Sequence, residues 1–196
     1  MHISDGIIPL PYCLGAYAVS GLLAGRLGNR VDPAEIPRMG LLAAAAFLAS
    51  SVHIPVAGAT IHLGLYGLMG IILGRRAFPT LFVTLLLQAL VFQHGGIVSL
   101  GVNALNMGSG ALAAWAVWRL PSGPPAARAF VAGFIGVFLP ALMLASEFAA
   151  AGYGRGFYVI AAAYAVAAAI EGAATAVAAS FLAKTKAGML LERSPA

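Results

Sequence analysis

The chain has 196 residues, 61% of them hydrophobic and only 9% charged, with a formal net charge of +5 at pH 7. That balance cannot coat a soluble globule of this size with polar surface, so the expected solvent is the bilayer. The basic residues sit beside apolar blocks rather than in a stripe with interleaved aromatics, which argues for membrane orientation and against a nucleic-acid partner.

Apolar blocks between polar or Gly/Pro punctuation fall at Pro9–Leu27, Met39–Val52, Thr60–Gly74, Thr80–Gln93, Ala104–Leu120, Ala126–Ala151 and Phe157–Ala183. The expected fold is all-α: a polytopic bundle of about seven transmembrane helices forming one transmembrane domain over 1–196. The second to fourth blocks are shorter than the roughly 20 residues that cross a hydrocarbon core. Two segments are expected to supply the missing depth as irregular backbone: Ser51–Ala59 with His53, Pro55 and Gly58, and Gln93–Val102 with His94, Gly95, Gly96 and Gly101. Charge tests the count independently. With seven alternating spans, Arg26, Arg30, Arg38, Arg75, Arg76, Arg119, Arg128, Lys184, Lys186 and Arg193 all fall on one side and Arg155 alone on the other. Lys and Arg favour the cytoplasmic face, so the expected orientation is N-out and C-in.

Small residues recur every four positions in the first block, as Ala16, Ser20 and Ala24 and as Gly21 and Gly25. Such surfaces permit close helix contact, either inside the bundle or against another membrane subunit. Cys13 is the one cysteine, which excludes an intrachain disulfide and a cysteine-based zinc site within one chain. No Lys or Arg precedes Arg26, so the opening lacks a signal-peptide leader and the mature chain is expected to begin at Met1.

The histidines His2, His53, His62 and His94 all belong near the outer face in this topology. His2 stands apart because of its position. The Met1 amine, the His2 amide nitrogen and the His2 imidazole can bind one metal through fused five- and six-membered chelate rings. A planar array with one vacancy suits nickel, copper or divalent cobalt, and a further imidazole completes it. His62, at the outward start of the third block, is the expected fourth ligand. His53 has the ordinary reading of an interfacial polar residue, and His94 is expected to be placed by the Gly95-Gly96 turn. Asp5 is either an acceptor behind His2 or the cap of a turn before Gly6. Asn103 and Asn106 are expected to tie down the irregular segment through amide hydrogen bonds. Glu171, deep in the last block, is expected to pair within the bundle.

These residues resemble the CbiM/NikM family, the substrate-binding components of energy-coupling factor cobalt and nickel transporters. The resemblance lies in Met1-His2 followed by Asp5-Gly6, in Pro55, Gly58, Thr60 and His62, and in Gln88–Leu100 with its Gly95-Gly96 pair. It continues through Gly101, Asn103, Asn106 and Met107 to Glu171-Gly172. It implies an N-terminal loop, residues 1–8, inserted into the bundle, and Co2+ or Ni2+ as transported substrate held by Met1, His2 and His62, with no organic cofactor. The implied partners are a transmembrane coupling subunit, two ATPase subunits and, in some systems, a small accessory membrane subunit. The implied setting is the bacterial or archaeal inner (plasma) membrane, with cobalamin biosynthesis as one destination of the metal. His94 before two glycines is similar to the cobalt branch, and Asn106-Met107 to the nickel branch.

The chain contains no G-x-x-x-x-G-K-[ST] phosphate loop, so energy must come from a partner. Two alternatives carry less of the sequence. A passive metal-ion channel would use the Gly- and Ala-rich helices as its lining. An intramembrane serine protease would use Ser109 in Gly108-Ser109-Gly110, yet no histidine follows His94. The expectation is therefore a non-enzyme.

Overall fold

The computed structural model describes residues 2–56, 59–121, 123–153, 156–185, 188 and 190, with backbone alone for 53–56 and 59–61. Seven α-helical segments are present among the described residues: α1 Leu10–Leu27, α2 Ile36–Ser51, α3 Tyr66–Leu73, α4 Ala77–Phe92, α5 Leu100–Arg119, α6 Pro125–Phe148 and α7 Phe157–Thr185. Prolines in the first turns of α1, α2 and α6 cost nothing, since the first helical N–H groups have no intrahelical acceptor. A two-stranded antiparallel hairpin, β1 His53–Val56 and β2 Ala59–His62, lies between α2 and α3.

That hairpin corrects the expected third block. Thr60–His62 belong to a strand, and the helix begins only at Tyr66. Short apolar runs do not distinguish strand from helix by periodicity, and β-branched Ile54, Val56, Thr60 and Ile61 favour the strand. Within the expected irregular segment 51–59, His53–Val56 form one strand of a ladder that satisfies its own backbone, and Ala59 begins the other.

Among the described residues, three helical runs are long and apolar enough to cross a membrane: Tyr66–Phe92, Pro125–Tyr153 and Phe157–Thr185. The first is not a single rod. Gly74, at φ 55° and ψ −129°, breaks it before a 3-10 turn over Gly74–Arg76. Buried Arg76 then fixes that corner against the α1–α2 connection, donating to the carbonyls of Leu27 (2.7 Å), Asn29 (2.9 Å) and Arg30 (2.9 Å) and pairing with Glu35 (3.1 Å). Gln88 of α4 instead meets His2 and Ser50, the latter at the opposite end of α2 from Glu35. So α3 descends from the hairpin and α4 returns. Arg26, Arg38, Arg76 and Arg128 gather where α1 ends, α2 begins, α3 turns into α4 and α6 begins. The histidines gather at the other end.

Close helix approach is concentrated in α3, α5, α6 and α7. A Cβ at Gly67 would meet Gly133, one at Gly110 would meet Gly136 and Pro140, and one at Gly172 would meet Phe130. Bare backbone lets these helices touch, which is the packing that membrane bundles rely on. The glycines of α1 behave differently: Gly15, Gly21 and Gly25 have open space where a Cβ would stand. The core beneath the site is formed by Tyr66, Met69, Leu81, Leu85, Met107 and Val137. Large apolar side chains such as Tyr12, Leu22, Leu90, Tyr158 and Val177 lie exposed on the outside of the bundle, as a lipid-facing surface requires.

Candidate metal centre

The segment before α1 runs into the bundle instead of along its surface. Ile3 is fully buried. Its N–H donates to Asn103 Oδ1 (2.8 Å), and its carbonyl accepts from Asn103 Nδ2 (3.0 Å) and the Ser99 hydroxyl (2.6 Å). One asparagine thus satisfies both backbone groups of a buried residue, which otherwise would carry a desolvation cost.

Asp5 corrects the expectation for it: it neither supports His2 nor caps a turn before Gly6. Its carboxylate accepts from the backbone N–H of Ile97 (3.1 Å) and of Ser99 (2.8 Å), at the start of α5. A helix N-terminus presents unpaired N–H groups and a partial positive charge, so it holds an anion well. Burial acts to raise the Asp5 pKa, but hydrogen bonds from Ser99, Val98 and Ile97 outweigh it and hold the carboxyl below its ordinary value. The docking it supplies is complete above the ordinary carboxylate range and is lost as pH falls through the lowered value.

Gly95 and Gly96 make room for this segment. Both have positive φ, +91° and +79°. A Cβ on Gly95 would press on the His2 side chain at 3.0 Å, and one on Gly96 would collide with the carboxylate and backbone N of Asp5. The pair therefore admits the N-terminal segment, besides turning the chain after His94.

His2, His62 and His94 form one cluster. Their candidate ligand nitrogens all lie within 4.8 Å of one another. Ring centroids are 5.1 Å apart for His2 and His62, 4.2 Å for His2 and His94, and 5.4 Å for His62 and His94. His2 Nε2 meets Gln88 Oε1 at 3.1 Å, and Gln88 Nε2 donates to the Ser50 hydroxyl at 2.6 Å. Because the Gln88 amide nitrogen is engaged with Ser50, its oxygen faces the ring and selects the tautomer with the proton on Nε2. Nδ1, the nitrogen that closes a six-membered chelate ring with the residue's own amide, is left as the lone-pair donor. Burial, reinforced by the neighbouring imidazoles, holds the His2 pKa well below the ordinary histidine value, so the ring is neutral and ready to ligate at neutral pH.

Met1 lies outside the described residues. His62 stands at the end of β2, not at a helix end, and is paired in register with His53 of β1, whose side chain is not described. His94, expected to be placed by the Gly95-Gly96 turn but not counted among the ligands, shares the cluster. Gln88 was missed as a separate contributor; its signal was an amide side chain on an otherwise apolar α4, 3% exposed. Asn103 does tie down the irregular segment, through Gly95 O (3.2 Å). Asn106 does not: its amide donates to Glu147 of α6 at 2.7 Å. The Ser109 hydroxyl of the protease alternative donates to the Asn106 carbonyl at 2.8 Å and meets Met143 Sδ at 3.2 Å.

Glu171 of α7 is 1% exposed and accepts from the backbone N–H of Leu65 (2.9 Å) and of Gly64. These amides lie two and three residues after His62, and Leu65 has a left-handed φ of 55°. A carboxylate that accepts two adjacent N–H groups holds this unusual backbone and so aims β2. Replacement of Glu171 by Gln keeps an acceptor of the same shape and is expected to leave metal affinity within about threefold. Replacement by Ala is expected to weaken it at least about tenfold, the scale typical of groups that orient a ligand. Metal titration of both variants checks this, and equal affinities would remove the positioning role.

Comparison with known proteins places this geometry. Residues 2–189 match the model of the CbiM family, described as the cobalt uptake substrate-specific transmembrane region. A cobalt transport protein CbiM of Geobacter sulfurreducens is 36% identical over 161 residues, covering 75% of this chain and 46% of that protein. A fused nickel transport protein NikMN of Rhodobacter capsulatus is 32% identical over 162 residues, covering 76% and 47%. The chain thus spans about half the length of these relatives. A crystal structure of a transition metal transporter superimposes with a TM-score of 0.80 at 26% identity, over 94% of this chain and 93% of that one. A truncated transition metal transporter gives 0.78 at 24% identity, over 97% and 100%, and supports the fold. With nearly its whole length matched by one family model, the chain belongs to the CbiM/NikM family of cobalt and nickel uptake substrate-specific transmembrane components.

Proposed function

We propose that the chain is the substrate-binding membrane subunit of an energy-coupling factor transporter, capturing Co2+ or Ni2+ at the outer face of the inner (plasma) membrane. The ligands in this reading are the Met1 amine, the His2 amide nitrogen and Nδ1, and His62, with the His94 imidazole beside them. Residues 1–8 act as the inserted loop of a single transmembrane domain over 1–196, which crosses seven times, N-out and C-in. The observation that carries this reading is the gathering of three imidazoles whose candidate ligand nitrogens lie within 4.8 Å, with His2 Nε2 engaged by Gln88 and Nδ1 left without a hydrogen-bond partner among the described residues. Nitrogen donors in this number suit late first-row divalent ions and not Mg2+ or Ca2+.

Release into the cell requires partners: a coupling membrane subunit and two ATPase subunits. The fused NikMN relative supports a further membrane component, since its name joins two components in one chain. Metal analysis of the purified protein after competition among cobalt, nickel, copper and zinc tests the proposal. The expected result is one tightly held equivalent of cobalt or nickel, reduced at least about 100-fold in affinity by His62→Ala and less than about threefold by His53→Ala. Equal loss from the two substitutions would place the site elsewhere.

A further inference from the structure

A half-open cavity of about 330 Å3 lies between the ends of α2 and α4, beside the histidine cluster. Ser50 and Ser51, the last residues of α2, line it with Gln88 and Phe92 of α4 and with His94. Exposure is graded along its walls: Ser51 and Phe92 are exposed, His94 is half-buried, and Ser50 and Gln88 are buried. Two of these side chains touch His2. Gln88 meets its Nε2 at 3.1 Å, and the His94 ring stands edge-on to its ring with centroids 4.2 Å apart. The inner end of the cavity is therefore one side chain away from the nitrogens proposed to bind metal.

The end of α4 builds this arrangement locally. Gln93 takes a left-handed φ of 53°, and the His94 N–H donates to the Gln88 carbonyl at 3.2 Å, so the chain folds back over its last turn. Gln88 and His94 are thereby carried on one helix end, and Phe92 between them packs on Phe47 of α2 with ring centroids 5.0 Å apart. The lining fits an aqua ion, whose waters are hydrogen-bond donors. The Ser50 and Ser51 hydroxyls give their protons to the Phe47 carbonyl, at 2.8 and 3.0 Å, and so act as acceptors towards anything else. Gln88 is committed at both ends, to His2 and to Ser50, and does not compete for the ion. None of the five residues is basic. A divalent ion with six waters, at about 30 Å3 each, needs roughly 200 Å3, which the cavity holds.

We propose that the gap between the ends of α2 and α4 is the route by which a hydrated divalent transition-metal ion enters and leaves the histidine cluster from outside, with Ser51 and Phe92 at its mouth. The inference rests on the metal-capture reading above. The N-terminal segment then stays docked through Ile3 and Asp5 while the ion loads. A route governs rates and not affinity, because whatever slows entry slows exit equally.

The test is stopped-flow Co2+ loading and release with the full purified chain, beside equilibrium titration and thermal melting. Ser51→Phe, which fills the mouth, is expected to slow loading and release together at least about tenfold, with affinity kept within about threefold. At low salt Ser51→Asp should load at least about tenfold faster than Ser51→Lys, and the difference should shrink as salt rises. Where Ser51→Phe fails to fold, Ser51→Cys decides. Capped with a cationic thiol reagent, it should load at least about tenfold more slowly than before capping and recover on reduction. The native chain, whose single Cys13 is buried, is the control. Native loading rates in Ser51→Phe and in capped Ser51→Cys would overturn the route, and so would a loss of affinity without slower loading, the mark of a structural disturbance. Loading that ignores the cap but quickens in Asp5→Asn, which loosens the N-terminal segment, would place entry at that segment instead and overturn it too. Failure of the histidine reading shows separately, as a tight equivalent of Co2+ that survives His62→Ala.

Discussion

Extending the chain by even one residue before Met1 is expected to lower metal affinity at least about 100-fold, close to 3 kcal/mol. The extension turns the terminal amine into an ordinary amide and removes one nitrogen of the proposed fused chelate. The inserted segment adds a second effect. Ile3 is held on both sides by Asn103 and Asp5 by the start of α5, so the segment cannot slide to present a new terminus. His2 stays where Gln88 holds it while the ligand before it is lost. The measurement compares the native start, an uncleaved extension, and the same extension cleaved back to Met1. Full-strength binding by the uncleaved form would take the amine out of the ligand set. A C-terminal tag serves as the control and is expected to leave binding intact.

Gly96→Ala is expected to reduce metal affinity about 30-fold or more, roughly 2 kcal/mol, although it touches no proposed ligand. Two effects add. A left-handed backbone costs a non-glycine residue of order 1 kcal/mol or more. The new methyl would also occupy the space of the Asp5 carboxylate and stand 2.8 Å from the Asp5 backbone N, which undocks the segment carrying His2. Gly123 separates the two contributions, because it has nearly the same φ, +78°, with open space at its Cβ position. Gly123→Ala should therefore show the backbone strain without loss of metal, read by titration beside Gly96→Ala. Equal behaviour of the two variants would show that the collision with Asp5 is not what matters.

Composition and charge were enough to read a helical membrane protein, because each polar interruption in a 61% hydrophobic chain is a costly event and therefore informative. The blocks at Pro9, Ala126 and Phe157 became α1, α6 and α7 with ends shifted by a few residues. His2 was legible as a candidate from donor chemistry, since the chelating potential of a second-position histidine is a local property, whereas His62 was chosen for an expected helix end that is instead the end of β2. The hairpin was not legible: its pairing of His53 with His62 joins residues nine apart across a turn, and apolar content does not record backbone pairing.

What the sequence determined by itself is the solvent, the helical class and the set of nitrogens worth considering, all of which follow from residue chemistry and local spacing. Only the tertiary structure decided which of them meet and what holds them. It brought His94 into the cluster, placed Gln88 behind His2, moved Asp5 to the start of α5 and turned Asn106 away to Glu147. These contacts join residues separated by 86, 94 and 41 positions for the Gln88, Asp5 and Asn106 bonds, a range over which one-dimensional periodicity carries no information. The physical reason is that a polar group inside a bilayer must find its partner within the protein, and which partner lies within 3 Å is settled by how the helices pack.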